Sequence, residues 1–83
     1  MPKATIRNDI RRLRFAHDEM TQQALADRVG CTRQTIMMLE QGRYVPSLLL
    51  ALQIAKVFGT TVEAIFTLDD ARDDQMPGVQ RNA

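Results

Sequence analysis

Apolar residues recur at helical spacing in five short stretches of the chain. From about Asn8 to His17, Ile10 and Leu13, with Phe15 as a further candidate, point inward and several arginines outward. Leu25, Ala26 and Val29 mark a second helix over Gln22–Val29, and Ile36 and Leu39, three apart, mark a third from Arg33 to about Gln41. The run Leu48–Phe58 is apolar almost all round, broken only by Gln53 and Lys56, which predicts a central, well-buried helix. A fifth, about Val62 to Phe66, brings Ile65 and Phe66 to complete the core. Punctuation supports these spans. Thr21, Thr32, Pro46-Ser47 and Thr60-Thr61 precede helical runs, where a side-chain oxygen can accept from an orphan N–H. Gly30, Gly42 and Gly59 follow them, where a left-handed residue is wanted.

The expected fold class is therefore all-α: a compact five-helix domain over residues 1–68, with an acidic, flexible tail over 69–83. The tail holds Asp69-Asp70 and Asp73-Asp74 and has little apolar surface to bury. The segments "KATI" and "IFTL" alternate enough to form short terminal strands, paired with each other or across a dimer.

Composition narrows the class. With 83 residues the chain holds one small domain, marginal enough alone that a partner copy would help. Its single cysteine cannot close an internal disulfide, which points to a reducing compartment. No apolar run approaches the roughly 18 residues of a bilayer span, and the N-terminus lacks a signal-peptide pattern. A cytoplasmic setting, with no membrane association, is expected. The net charge of +1 hides an asymmetry. Residues 1–45 carry eight Lys and Arg against five Asp and Glu, a net of +3; residues 46–83 carry three against five, a net of −2. A basic front and an acidic back suit a polyanion on one face.

The second and third helices are joined by "VGCT", a tight turn with glycine where unusual backbone angles are required. Two short helices so joined, the later one amphipathic, describe a helix-turn-helix. Its physics assigns roles. The start of the second helix can approach a phosphate, where free N–H groups and the helix dipole favour an anion, and Gln22 stands there with an amide to add. The third helix enters the major groove of double-stranded DNA N-terminus first, so Arg33 and Gln34 are best placed to reach base edges. Arg pairs bidentately with guanine, Gln with adenine, and an apolar group meets the thymine methyl. Met38 lies one turn beyond Gln34 on that outward face; Met37, beside it, can touch a thymine methyl or a partner surface. Glu40 would repel DNA unless neutralised, and Arg14 near the end of the first helix is its candidate partner; the alternative is a solvated Glu40. Past Gly42, Arg43 is a candidate phosphate contact, and Tyr44 either donates a hydrogen bond or packs against Pro46.

Three motifs in order, "TQQALADRVG", "TRQTIMMLEQGRYVPS" and "LALQIAKVFGTTVEAIF", resemble the Cro/C1-type helix-turn-helix (XRE) family of transcription regulators, from about Ile6 to Leu68. The resemblance implies a lambda-repressor-like domain and carries roles by position. Gln22 matches the glutamine that grips a phosphate, Arg33, Gln34 and Met38 match base-reading positions, Thr32 and Thr35 lie near the backbone, and Arg14 and Glu40 match the interhelical pair. The subgroup it resembles consists of small, stand-alone dimeric repressors joined through the fifth helix and its flanks, which implicates Ile65, Phe66 and Leu68. Two departures stand out. The link "FAHDEM" is one residue longer than the commonest form, and Met at 37 and 38 is less polar than usual.

Other chemistry finds no support. His17, the only histidine, has no nucleophile or acid beside it and sits where it favours a helix dipole. Cys31 reads as a packed thiol more readily than as a redox sensor. The paired aspartates lack the ordered loop of a calcium site, and no nucleotide loop, zinc spacing or nucleophile motif is present. No enzyme, metal, cofactor or small-molecule effector is therefore expected. The expected function is sequence-specific regulation of transcription by a homodimer, with repression by promoter occupancy the simplest mechanism. A helical protein-interaction module, or an antitoxin using the Met37/Met38 surface, is the alternative.

Overall fold

The computed structural model describes residues 5–69. The order is β1 (Thr5–Asn8), α1 (Ile10–Ala16), α2 (Gln22–Val29), α3 (Arg33–Glu40), α4 (Leu48–Phe58), α5 (Val62–Ile65) and β2 (Phe66–Asp69). The helical class holds, with a small sheet added. β1 and β2 pair antiparallel within one chain, Thr5 opposite Asp69 and Asn8 opposite Phe66. Of the two pairings the sequence allowed, the intrachain one forms. β2 takes in Asp69, and the rest of the expected tail, residues 70–83, lies outside the described residues.

Four helices begin as the caps predict. The hydroxyls of Thr21, Thr32, Ser47 and Thr61 each accept from the backbone N–H three residues on, giving one orphan donor a partner. Gly30 ends α2 at φ 77°, a left-handed angle that a side chain would disfavour, and the N–H groups of Gly30 and Cys31 both donate to the Ala26 carbonyl. That closed turn fixes how α3 leaves α2. Cys31 is half-buried in it, and burial pushes its thiol pKa up.

The core is drawn from every helix. Ile10, Leu25, Ile36, Leu39, Ile54 and Ile65 are fully buried, and Met20, Ala26, Val29, Ala55 and Phe58 close around them. Each of the large aliphatic side chains contributes about 1.5–3 kcal/mol through burial.

Three expectations are corrected. α1 begins at Ile10, because Asn8 belongs to β1. Phe15 is not inward; it is 51% exposed and lies under arginines. α4 is buried on one face only, through Ala51, Ile54, Ala55 and Phe58, while Leu48, Leu49 and Leu52 stand 71%, 67% and 52% exposed. Ile65, read from its spacing as a core residue and from the resemblance as part of a subunit contact, is 1% exposed and lies in the core of the single chain.

The longer link before α2 has a distinct geometry. Asp18 and Glu19 both adopt left-handed angles, φ 58° and 54°. The turn carries Met20 back into the core, and the Met20 N–H donates to the carbonyls of Arg14 and His17.

Candidate nucleic-acid interface

α3 has two faces. Ile36 and Leu39 anchor one in the core, while Arg33 and Gln34 stand exposed at its N-terminus and Met37 and Met38 are half-buried on the outward side. The outward residues fall on two rows, 34–38 and 33–37–41, because one helical turn separates their members. Thr32 holds the start of this helix. Its hydroxyl accepts from the Thr35 N–H and lies 3.0 Å from the Thr35 hydroxyl, so the two threonines form a bonded pair beside Arg33 and Gln34.

The other end of α3 is clamped by charge. The Arg14 Nε donates to Glu40 Oε2 at 2.6 Å and its Nη2 to Oε1 at 3.0 Å, a side-on, bidentate pair. Both side chains are nearly buried, 7% and 9% exposed. The remaining guanidinium nitrogen Nη1 donates to the Met20 carbonyl at 2.8 Å, so every arm of Arg14 is bonded. Of the two states the sequence left open for Glu40, the paired one forms. Such a pair, with its polar atoms satisfied, fixes the angle between α1 and α3 more than it adds net stability, since desolvation offsets its attraction.

Gln22 joins the same group. Its Nε2 donates to Glu40 Oε1 at 3.1 Å. One amide hydrogen is used there and the second is left at the start of α2. Glu40 thus orients the amide that the sequence placed near a phosphate. Beyond α3, the Arg43 N–H donates to the Met38 carbonyl, which turns the loop so that Arg43 and Tyr44 are both exposed.

Between α1 and the flank of α3 lies an open cleft of about 320 Å³, walled by Arg11, Phe15, Gln22, Met37 and Gln41 over the Arg14–Glu40 pair. The sequence had selected neither Arg11 nor Phe15 for this face. The signal was present in their i, i+4 spacing on one helix side. Asn8 was also missed: its Nδ2 donates to the Leu39 carbonyl at 2.8 Å, a contact between segments too distant in sequence for local pattern to reveal.

The remaining candidates are structural. The His17 Nδ1 lies 3.0 Å from the Leu13 carbonyl and its ring meets Phe58 edge-on at 5.0 Å. Among the described residues no group of three or more His, Cys, Asp or Glu is arranged to hold a metal ion. No helix there is long and apolar enough to cross a membrane.

Comparison with known proteins agrees with this geometry. A family model described as helix-turn-helix matches residues 10–65. The chain is 45% identical over 65 residues to an uncharacterised HTH-type transcriptional regulator of Methanocaldococcus jannaschii, MJ0272, covering 78% of this chain and 97% of the relative. It is 48% identical over 65 residues to one of Archaeoglobus fulgidus, covering 78% and 91%. The regulator YgzD of Bacillus subtilis, also uncharacterised, is 45% identical over 65 residues, covering 78% and 97%. Nothing in these relatives favours a protein-docking module, and the family is not one of enzymes. The capped, clamped α3 and these likenesses together make the chain a member of the XRE, or Cro/C1-type, helix-turn-helix family of DNA-binding transcriptional regulators.

Proposed function

We propose that the protein is a homodimeric, cytoplasmic repressor that reads a pseudo-palindromic operator with α3 in the major groove. The observation that carries the reading is the exposed Arg33 and Gln34 at the capped start of a helix whose far end is locked by Arg14 and Glu40. In this reading Arg33 and Gln34 pair with bases, Met38 meets a thymine methyl, and Met37 lines the edge of the contact. Gln22 grips a phosphate with its second amide hydrogen, Arg43 and Tyr44 follow the backbone beyond α3, and Thr32 and Thr35 lie against the sugar-phosphate strand. Occupying a promoter in this way represses it without any further domain.

A second copy is favoured by the apolar surface left exposed among the described residues. Leu48 and Leu52 on α4 and Val62 on α5 line a groove of about 600 Å³, with Lys56 and Glu63 also on its walls. Opposite charges on one groove are self-complementary under a two-fold axis, since Lys56 of each copy can face Glu63 of the other. Phe66 and the exposed Leu68 flank this end of the domain through β2. Ile65 supports them from the core and makes no contact of its own in this arrangement.

Selection from random duplex DNA at about physiological salt, where the Debye length is about 8 Å, tests the reading. Enrichment of an inverted repeat with half-sites about one turn, roughly 34 Å, apart supports a dimeric reader. Enrichment of a single half-site opposes the dimer, and no enrichment opposes base reading by α3. Sedimentation equilibrium of Leu52→Glu separates the two parts: loss of a dimer with retained half-site preference assigns the groove to the second copy.

A further inference from the structure

Phe15 is an exposed aromatic ring on a helix whose apolar side already faces the core. Its ring is not idle. The guanidinium carbons of Arg11 and Arg14 each lie 5.4 Å from its centroid, within range of a cation–π contact. The two arginines differ in what remains free. Arg14 is spent on Glu40 and on the Met20 carbonyl. Arg12, next along α1, is bonded to Asp9. Arg11 has no carboxylate partner among the described residues, so its charge is held by the ring and presented to solvent.

Its position gives that charge a target. Arg11 and Phe15 form one wall of the cleft beside α3, and Gln22, Met37 and Gln41 form the other. Met37 and Gln41 belong to the outward 33–37–41 row, so the cleft borders the surface that enters the groove. A helix in the major groove is flanked by sugar-phosphate strands, and a strand along this flank must cross the cleft. The one carboxylate in its floor, Glu40, is already neutralised by Arg14 and does not repel an anion. Two amides, from Gln22 and Gln41, stand opposite the guanidinium.

We propose that this cleft is a DNA-backbone clamp, in which Arg11, held over the Phe15 ring, pairs with one operator phosphate while the ring packs against the adjoining sugar. The proposal rests on α3 lying in the major groove, and it adds to Gln22 a cationic contact on the same flank. The phosphate is read by charge and position alone, so the clamp adds affinity and fixes docking angle without selecting bases. Phe15 is here a positioning residue, because it limits the rotamers from which Arg11 would otherwise have to be recruited.

The full chain, titrated by fluorescence anisotropy against a labelled duplex carrying the selected repeat and against a scrambled duplex, tests this. Arg11→Gln is expected to bind both duplexes about fivefold more weakly at about 0.15 M salt, and to reduce the slope of log K against log salt by about 1. Arg11→Lys restores the slope. Phe15→Leu keeps apolar bulk and the full slope but weakens binding to both duplexes. An unchanged slope in Arg11→Gln overturns the proposal, as does a loss confined to the selected duplex, which would make Arg11 a base reader. Arg33→Ala and Gln34→Ala measured beside them keep the two readings apart: if neither lowers discrimination between the duplexes, the placement of α3 fails, whatever Arg11 does. Both Arg11 and Phe15 are exposed, so the thermal melts of these variants should match the parent protein.

Discussion

Asn8, the last residue of β1, donates its side-chain amide to the carbonyl of Leu39 in the final turn of α3 at 2.8 Å, and its Oδ1 accepts from the Ile10 N–H at 3.2 Å. One side chain therefore gives the Leu39 carbonyl a second donor, beside the Gly42 N–H at 3.0 Å, and satisfies an orphan N–H at the start of α1. Asp9, the residue in the cap position of α1, makes no side-chain cap bond, so Asn8 does that work from one residue earlier. The strand pairing with β2 sets where Asn8 stands. The small sheet is thus a brace for α3.

Removing that brace has a measurable effect. Asn8→Ala loses two part-buried hydrogen bonds of about 1 kcal/mol each, while the Leu39 carbonyl keeps the Gly42 N–H, for a total of about 2 kcal/mol. Urea unfolding should show a lower midpoint with an unchanged slope. Asn8→Asp keeps the acceptor for Ile10 but sets a carboxylate against a carbonyl, and should be at least as damaging. Equal stability of all three proteins would show that Asn8 braces nothing.

The Arg14–Glu40 pair calls for a double-mutant cycle. Truncating either partner strands a nearly buried charge, which costs about 3–5 kcal/mol. A domain of this size has only about 4–12 kcal/mol in total, so Arg14→Met and Glu40→Leu should each lie close to unfolding. The double variant Arg14→Met/Glu40→Leu replaces the pair with apolar bulk and should lose much less than the two single losses combined. Simple additivity, within about 0.5 kcal/mol, would mean the side-on geometry couples nothing. Because the pair sets the angle between α1 and α3, the double variant should bind DNA more weakly even where it is well folded.

How far the fold was legible in the sequence depends on the range of the forces involved. The spans of α2 and α4 followed to the residue, because Thr21, Ser47, Gly30 and Gly59 act within a turn of the ends they fix. The exposed placement of Arg33 and Gln34 followed equally from Thr32 and from the burial of Ile36 and Leu39. Contacts between distant segments did not follow. Asn8 has the composition of a helix cap, and only its pairing opposite Phe66 makes it a strand residue reaching Leu39. Hydrophobicity misled at α4, because an apolar residue is equally apolar against a core or on an open face. Leu48, Leu49 and Leu52 were assigned inward and are exposed, while Ile65, whose spacing put it in the core, is buried there.

The turn at Asp18 and Glu19 offers a stabilising change. A left-handed angle costs a residue with a side chain about 1–2 kcal/mol, and Asp and Asn tolerate it better than Glu does. Glycine removes that penalty but loses about 0.5–1 kcal/mol in added freedom of the unfolded chain. Glu19→Gly should therefore raise stability by roughly 0.5–1 kcal/mol, and Asp18→Gly by less, as read from the thermal midpoint at constant pH. A drop in the midpoint for Glu19→Gly would mean that the exposed Glu19 side chain makes a contribution larger than its backbone strain.

Arg33 and Arg43 should respond differently to the same substitution, and the difference separates reading from holding. Arg33 sits at the start of α3 on the outward face, where a bidentate pair with guanine has the right reach, and Arg43 lies past the helix in an exposed loop. Arg33→Ala should lose about 1–3 kcal/mol of discrimination at one base pair of each half-site, so that the preferred duplex and one altered there bind alike. Arg43→Ala should weaken binding to both duplexes equally and reduce the salt slope by about 1, the mark of a lost phosphate contact. Competition titrations with both duplexes at two salt concentrations distinguish the outcomes. If Arg33→Ala lowers affinity uniformly, Arg33 holds the backbone, and base recognition shifts to Gln34 and Met38 on the neighbouring row.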